Sequence, residues 1–325
     1  MEQSKLDKLI DFKKYTVKPG AKVKLKNYST EYKGKSLNKK QAQLLLEESR
    51  VQLAEIQDKL YAHNRYSVLI VFQAMDAAGK DGAVKHIMSG FNPQGVKVHS
   101  FKAPSSNELD HDYIWRHYVT LPGRGEIGIF NRSHYENVLV TRVHPEYILG
   151  EHLPSIDAVS KINKEFWEAR YKQITRFEKN LAENGTIILK FFLHVSKKEQ
   201  KKRFLERIDD PTKNWKFSMG DLTERGFWDE YQKAYEDAIE ATSKDYAPWF
   251  IIPADDKWFT RLAIAGIIHK HFERLPISYP SLNEKQKAEL QKARLHLMSE
   301  KESPEKMKKA KPAEKSSPAK TATRK

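Results

Sequence analysis

The 325-residue chain has no cysteine. That absence excludes a disulfide framework, thiolate zinc sites and a cysteine nucleophile. No apolar run approaches the roughly 18 residues needed to cross a bilayer. Met1-Glu2-Gln3-Ser4 lacks the charged-then-apolar pattern of a signal peptide, so a cytoplasmic protein without a membrane partner is expected. No serine stands in a Gly-x-Ser-x-Gly turn, which leaves Ser-His-Asp hydrolysis unsupported. The twelve histidines offer no metal-binding spacing; His144-Pro145-Glu146 and His152 cannot share a helical face, because the proline interrupts it. The basic excess lies in the two ends of the chain. The formal net charge is +15, but residues 1–40 carry +8 and residues 301–325 carry +6, leaving about +1 for everything between them. Any anion-binding claim for the body therefore rests on individual residues.

What is present is ample apolar material, 39% hydrophobic and 11% aromatic, enough for a buried core. Residues 1–40 form a basic N-terminal arm whose scattered Phe12, Tyr15, Tyr28 and Tyr32 suit draping over the body. Residues 301–325 are rich in Lys, Ala, Ser and Pro, with Met307 their one large apolar residue. Such a tail cannot offset its chain entropy and is expected to be disordered. Residues 41–300 make the main domain. Ser36-Leu37-Asn38 leads into a helix with an apolar stripe of Leu44, Leu45, Val51, Leu53, Ile56 and Leu60. Strand patterns then recur at Ser67–Gln73, Val96–Phe101, Glu126–Phe130, Thr186–Phe192 and Trp249–Ile252. Helical stretches begin near Lys80, Glu108, Ser155, Lys197, Leu222 and Lys257. The alternation predicts an α/β fold of three layers, a parallel sheet flanked by helices on both faces. The stripe Trp167, Tyr171, Ile174 and Phe177 reads as core or subunit contact.

The first strand runs into Ala74-Met75-Asp76-Ala77-Ala78-Gly79-Lys80-Asp81-Gly82, and a helix follows. This is close to a Walker A loop, with Ala74 at the first glycine position and Asp81 in place of the final Ser/Thr. Small residues (Ala77, Ala78, Gly79, Gly82) let backbone N–H groups approach phosphate oxygens. A helix N-terminus and Lys80 supply positive potential. Losing the Ser/Thr hydroxyl removes the usual Mg²⁺ ligand, and Asp76 is the obvious replacement. The competing reading is an ordinary βα turn with a capping aspartate.

Met75-Asp76-Ala77-Ala78-Gly79-Lys80-Asp81-Gly82 resembles the Walker A segment of family-2 polyphosphate kinases. The later segments agree in order: Phe101-Lys102-Ala103-Pro104, His111 to Arg116, Leu121-Pro122-Gly123-Arg124-Gly125, Phe130-Asn131-Arg132-Ser133-His134-Tyr135-Glu136, Arg203 to Ser218, and Ala247 to Lys257. The resemblance implies a P-loop kinase-like domain with a lid at about 200–225. It implies Mg²⁺, with Mn²⁺ as an alternative, and inorganic polyphosphate and nucleoside mono- and diphosphates as substrates. It also implies a homodimer or homotetramer. Asn131 stands where many members have Asp, and with Val143-His144-Pro145-Glu146 it resembles the subgroup that accepts AMP as well as ADP. Glu136, one turn on, is the candidate for the missing carboxylate. Arg132, at a strand end beside the loop, can clamp phosphate oxygens bidentately.

The lid reads as a helix with Arg203 and Arg207 four apart on one face, followed by Lys213, Trp215 and Lys216 and a helix capped by Asp221. Phosphoryl transfer needs chiefly positioning and positive charge around the equatorial oxygens. Lys80, Arg132, Arg203 and Arg207 are therefore expected to act on the transferring group, with Asp76 on the metal. Lys102, Arg116, Arg124 and Arg142 would continue a basic groove toward a polyphosphate donor, though an arginine on a helix is as often in a surface ion pair. Two rival functions remain: a nucleotide or small-molecule kinase that uses ATP, and a nucleic-acid binder with a vestigial P-loop, for which the basic tail is the part suited.

Overall fold

The computed structural model describes residues 5–300. In chain order it has α1 (Lys5–Leu9), β1 (Thr16–Val17), α2 (Lys39–His63), β2 (Ser67–Gln73), α3 (Lys80–Met88), β3 (Val96–Ser100), α4 (Ser106–Leu109), α5 (Trp115–Tyr118), β4 (Ile127–Asn131), α6 (Glu136–Val143) and α7 (Lys164–Glu183). Then come β5 (Thr186–His194), α8 (Lys197–Asp209), α9 (Met219–Gly226), α10 (Trp228–Thr242), β6 (Trp249–Pro253), α11 (Lys257–Phe272) and α12 (Glu284–Ser299). The sheet order is β1-β6-β5-β2-β4-β3. Strands β2 to β6 run parallel. β2 lies in the middle and is buried along its whole length, as an unbroken Val/Leu/Ile/Phe run requires when both faces are covered. One helical layer groups α2, α3 and α11, and another groups α6, α7 and α10. Trp167, Ile174 and Phe177 of α7 are buried, so that stripe is core.

The N-terminal segment does more than drape. It places Phe12, Val17, Val23, Leu25 and Leu37 in the core, and its β1 pairs antiparallel with β6 through Thr16↔Phe250. A two-residue strand is too short to announce itself by alternation. On α2, Leu53 and Leu60 are buried but Leu44 and Val51 face solvent; the buried face instead includes Ala42, Ser49 and Gln57. The helix expected near Ser155 begins at Lys164, capped by the Asn163 side chain. Residues up to Tyr279 form one compact unit, and Pro280 onward forms another that includes the exposed α12. The expected tail, 301–325, lies outside the described residues. Among those described, no helix is long and apolar enough to cross a membrane.

Candidate active site

Parallel strands end side by side, and that brings the two loops of interest together. Phe72 of β2 is paired with Asn131 of β4, and the Arg132 N–H donates to the Phe72 carbonyl at 3.1 Å. Open α/β sheets bind ligands at this end. A cavity of about 590 Å³ lies there. Asp76, Ala77, Ala78, Gly79, Lys80, Asp81 and Gly82 line it, together with Lys102, Asn131, Arg132, Arg203, Arg207, Lys213 and Lys216. Asp221, Glu206 and Lys257 also line it and were not assigned to the site from sequence. The only signal for Lys257 was its place in the Ala247 to Lys257 segment.

The P-loop backbone is held in unusual conformations. Gly79 caps α3 at φ +106°, where a side chain would be strained. Ala77 sits at φ +58° and Arg132 at φ +66°, both left-handed positions that non-glycine residues rarely take. Lys80 Nζ donates to the Ala74 carbonyl at 2.7 Å. Burial lowers the Lys80 pKa, and the Arg132 charge adds to the effect.

Two side chains of α8 hold this loop. Gln200 Nε2 donates to the Asp76 carbonyl at 2.9 Å. Arg203, 5% exposed, donates from Nη1 to the Ala77 and Ala78 carbonyls at 3.2 and 2.7 Å. Its Nη2 reaches the Ala254 and Asp255 carbonyls at 2.6 and 3.0 Å, and its Nε reaches Glu199 at 2.9 Å. A guanidinium has five N–H donors, and these five bonds use them all. Arg203 is thus not a free cation sharing a task with Arg207. Because peptide planes are rigid and trans, carbonyls drawn toward α8 turn the N–H groups of Ala77 and Gly79 away from it. Arg207 is half-buried and lies 3.4 Å from Asp221.

Between the P-loop and residues 131–136 the charges are paired. Arg132 Nη2 meets Asp76 Oδ1 at 3.0 Å and its Nη1 lies 3.7 Å from Glu136; Glu136, more than Asp76, holds the Arg132 pKa up. Asn131 Nδ2 donates to Asp81 Oδ1 at 2.8 Å, whereas Asn131 Oδ1 is buried with no hydrogen-bond partner among the described residues. An aspartate at 131 would instead set two carboxylates against each other. Among the described residues no three His, Asp or Glu side chains converge on a metal position. Mg²⁺ does not require that, since it is commonly held by one or two carboxylates plus substrate phosphates and water. Asp76 and Asp81, with the orphaned Asn131 oxygen, fit such a site.

The 131–136 loop rests on a buried polar network. Lys190 Nζ donates to Tyr135 Oη at 2.9 Å, Glu178 Oε2 at 2.6 Å and the Thr242 carbonyl at 2.8 Å. Tyr135 Oη donates in turn to Glu178 Oε1 at 2.8 Å. Burial brings the Lys190 pKa down to about 8 even against Glu178. Lys190→Met leaves the Glu178 carboxylate buried and unpaired, a loss of about 3–5 kcal/mol. Denaturant unfolding should show it, with Lys190→Met/Glu178→Leu recovering most of the loss.

A second cavity, about 490 Å³, adjoins the first and shares Phe101, Lys102, Ala103 and Arg132 with it. Phe101, Tyr113, Val140 and Tyr147 give it apolar walls, and Arg116 and Glu136 lie in its lining. His117 Nδ1 and Thr141 Oγ1, both from this lining, are buried without partners among the described residues. Burial drives the His117 pKa down to about 2, so the ring is neutral and offers one donor and one acceptor. Arg116 pairs with Glu108 at 3.1 Å and lies over the Phe101 ring.

Three sequence expectations need correction or relocation. Arg124 is not in the groove. Its neighbour Gly125 donates to Tyr66, just before β2, and a Cβ on Gly185, just before β5, would lie 3.2 Å from Arg124 Nη1. Arg124 therefore sits at the N-terminal ends of the strands, on the order of 20 Å from the P-loop by the rise of a strand. Ser218, not Asp221, caps α9, its side chain accepting from Gly220 N. Lys213 and Lys216 do line the phosphate cavity, but Lys213 is paired with Asp210 and Lys216 lies over Trp215.

The model of the family described as Polyphosphate kinase 2 matches residues 36–278. An ADP-polyphosphate phosphotransferase of Rhodopseudomonas palustris is 47% identical over 289 residues, 89% of this chain and 99% of that protein. An AMP/ADP-polyphosphate phosphotransferase of Meiothermus ruber is 44% identical over 269 residues, 82% of this chain and 95% of that one. The crystal structure of Polyphosphate Kinase 2 from Arthrobacter aurescens TC1 superposes with a TM-score of 0.74 at 39% identity, covering 85% of this chain and 92% of the other.

Proposed function

The chain belongs to the polyphosphate kinase 2 family, and from that premise we propose that it transfers the terminal phosphoryl group of inorganic polyphosphate to ADP, and to AMP, in a reversible reaction. The observation that carries this reading is the meeting of two unlike cavities at Lys102 and Arg132. The first is walled chiefly by the P-loop and cationic side chains, which suits a repetitive phosphate chain. The second has apolar walls and unpartnered polar atoms, which suits the nucleoside of the acceptor.

An oxygen of the acceptor's terminal phosphate attacks the end phosphorus of the chain in line with the bridging oxygen. That bridging bond breaks, and the shortened polyphosphate leaves with the electron pair. The acceptor oxygen is already ionised at neutral pH, so no general base is needed. Positioning and charge remain the protein's task. Lys80 and the inward N–H groups of the P-loop hold donor phosphates, Arg132 bridges toward the acceptor, and Arg207, Lys213 and Lys216 bring positive charge from the lid. Mg²⁺, or Mn²⁺ in its place, bound at Asp76 beside Asp81 and Asn131, would neutralise phosphate charge. AMP places one phosphate fewer in the space between the cavities, and Glu136 beside Arg132 is positioned there. A homodimer or homotetramer in the cytoplasm belongs to the same reading; exposed Tyr118, Val119 and Tyr147 supply apolar surface for a second copy.

The test is product formation by the purified protein with Mg²⁺ and polyphosphate, using ADP and AMP in separate reactions. ATP from ADP, and ADP followed by ATP from AMP, are expected. Failure with both acceptors, by folded protein, would move the reading to an ATP-dependent kinase.

A further inference from the structure

Glu224, near the C-terminal end of the lid, is gripped from two sides. His144 Nε2 donates to its Oε2 at 3.0 Å, and Tyr231 Oη donates to the same oxygen. A carboxylate only accepts, so the His144 ring carries its hydrogen on Nε2. Burial and then the Glu224 charge push the Tyr231 phenol up, which keeps it a donor. His144 ends α6, where its N–H donates to the Val140 carbonyl at 2.8 Å. Its ring also meets that of Phe227 edge-on, with centroids 5.0 Å apart. Tyr231 belongs to α10. α9 buries none of its own residues, so packing alone does not seat it, and Glu224 ties it to both α6 and α10. The next residue, Arg225, is bonded through Nη1 to Gln200 Oε1. Gln200 Nε2 in turn holds the Asp76 carbonyl. Asp76, Gln200, Glu224, Arg225 and Tyr231 line one small cavity of about 210 Å³ beside the P-loop.

We propose that Glu224 is a positioning residue: gripped by His144 and Tyr231, it seats α9 so that Arg225 and Gln200 hold the Asp76 end of the P-loop in its transfer geometry. This role rests on the phosphotransferase reading for the reaction it serves. Glu224 touches no phosphate in it and acts through its neighbours. The order of the link is fixed by the bonds. Arg225 occupies the oxygen of the Gln200 amide, which leaves the nitrogen facing the loop. A shift of α9 therefore pulls on the amide that anchors Asp76, and small displacements of a positioned group are costly in rate. The link also gives His144, from the Val143-His144-Pro145-Glu146 segment, a task away from the phosphates.

Hydrogen exchange of the full chain tests the joint without turnover. In Glu224→Leu the amides of residues 75–80 should exchange about tenfold faster than in wild type, while those of β2 and β5 keep their protection. Glu224→Gln retains an accepting oxygen and should leave the loop close to wild type. An unchanged loop in Glu224→Leu, or faster exchange throughout the strands, would overturn the role. Initial rates with ADP and polyphosphate give a second readout. Glu224→Leu should lower kcat about tenfold and change KM for ADP by no more than about twofold. Placed on Gln200→Leu, it should lower kcat by no more than about a further twofold, because the link is already cut. A merely structural loss would multiply in full, and that result, or a change in KM alone, would also overturn the role. If wild type forms no ATP while exchange behaves as expected, the transfer reading fails and the joint stands; with ATP formed and the loop unmoved, the reverse holds.

Discussion

Lys80→Ala should lower ATP formation from ADP and polyphosphate by about a thousandfold while the protein stays folded. Removing a single preorganised charge or donor from a transferring group costs about 10²–10³ in rate, and phosphoryl transfer depends on little besides such positioning and charge. Lys80 opens α3 immediately after the left-handed Gly79. It is the P-loop's one cation, and its ammonium is desolvated at the cavity wall. Among the described residues its one protein hydrogen bond is to the Ala74 carbonyl, so the native state loses little with it. Initial rates and a denaturant melt on the same preparation check both halves. A rate within tenfold of wild type would remove Lys80 from the reaction. Asp76→Ala should be comparably inactive with the fold retained, because Asp76 faces both the loop and Arg132.

The second large effect concerns Arg203. Arg203→Lys should be almost as damaging as Arg203→Ala, each reducing the rate by about a hundredfold or more, whereas Arg207→Lys should keep activity within about tenfold. An ammonium preserves charge, but its three donors cannot span Glu199 and four carbonyls at Ala77, Ala78, Ala254 and Asp255. If Arg203 worked by charge on phosphate oxygens, lysine would restore much of the rate, and that result would contradict the bracket. A structural loss alone is distinguished by Gln200→Leu, which removes the Asp76 anchor and the Arg225 bond to Gln200 Oε1 while leaving Arg203 in place. It should slow transfer with the fold intact, acting on the loop from the same side.

Much of this site was readable from residue order. Strand-loop-helix around Gly79-Lys80 and the strand ending at Asn131-Arg132 each carry their own signature, and parallel pairing then makes them neighbours through Phe72↔Asn131. What periodicity could not supply was the partner of each cation. The four-residue spacing puts Arg203 and Arg207 on one helix face, yet one is spent on backbone carbonyls and the other faces Asp221. Arg124 lies in a basic-looking segment, but the segment precedes its strand and so sits at the wrong end of the sheet. Leu44 and Val51 fit an apolar stripe, while the contact face of α2 is made partly by Ser49 and Gln57, polar residues that a hydrophobic pattern passes over. β1 is fixed by the edge of β6 and not by its own two residues.

Polyphosphate labelled at its terminal phosphorus, incubated with ADP, Mg²⁺ and the purified chain, tests the central claim most directly. Direct transfer predicts that the label appears in the γ-phosphate of ATP, with no labelled inorganic phosphate in between, and that the polymer shortens by one unit per ATP formed. Label released as inorganic phosphate, or ATP of the first transfer from each chain end formed without label, would contradict it.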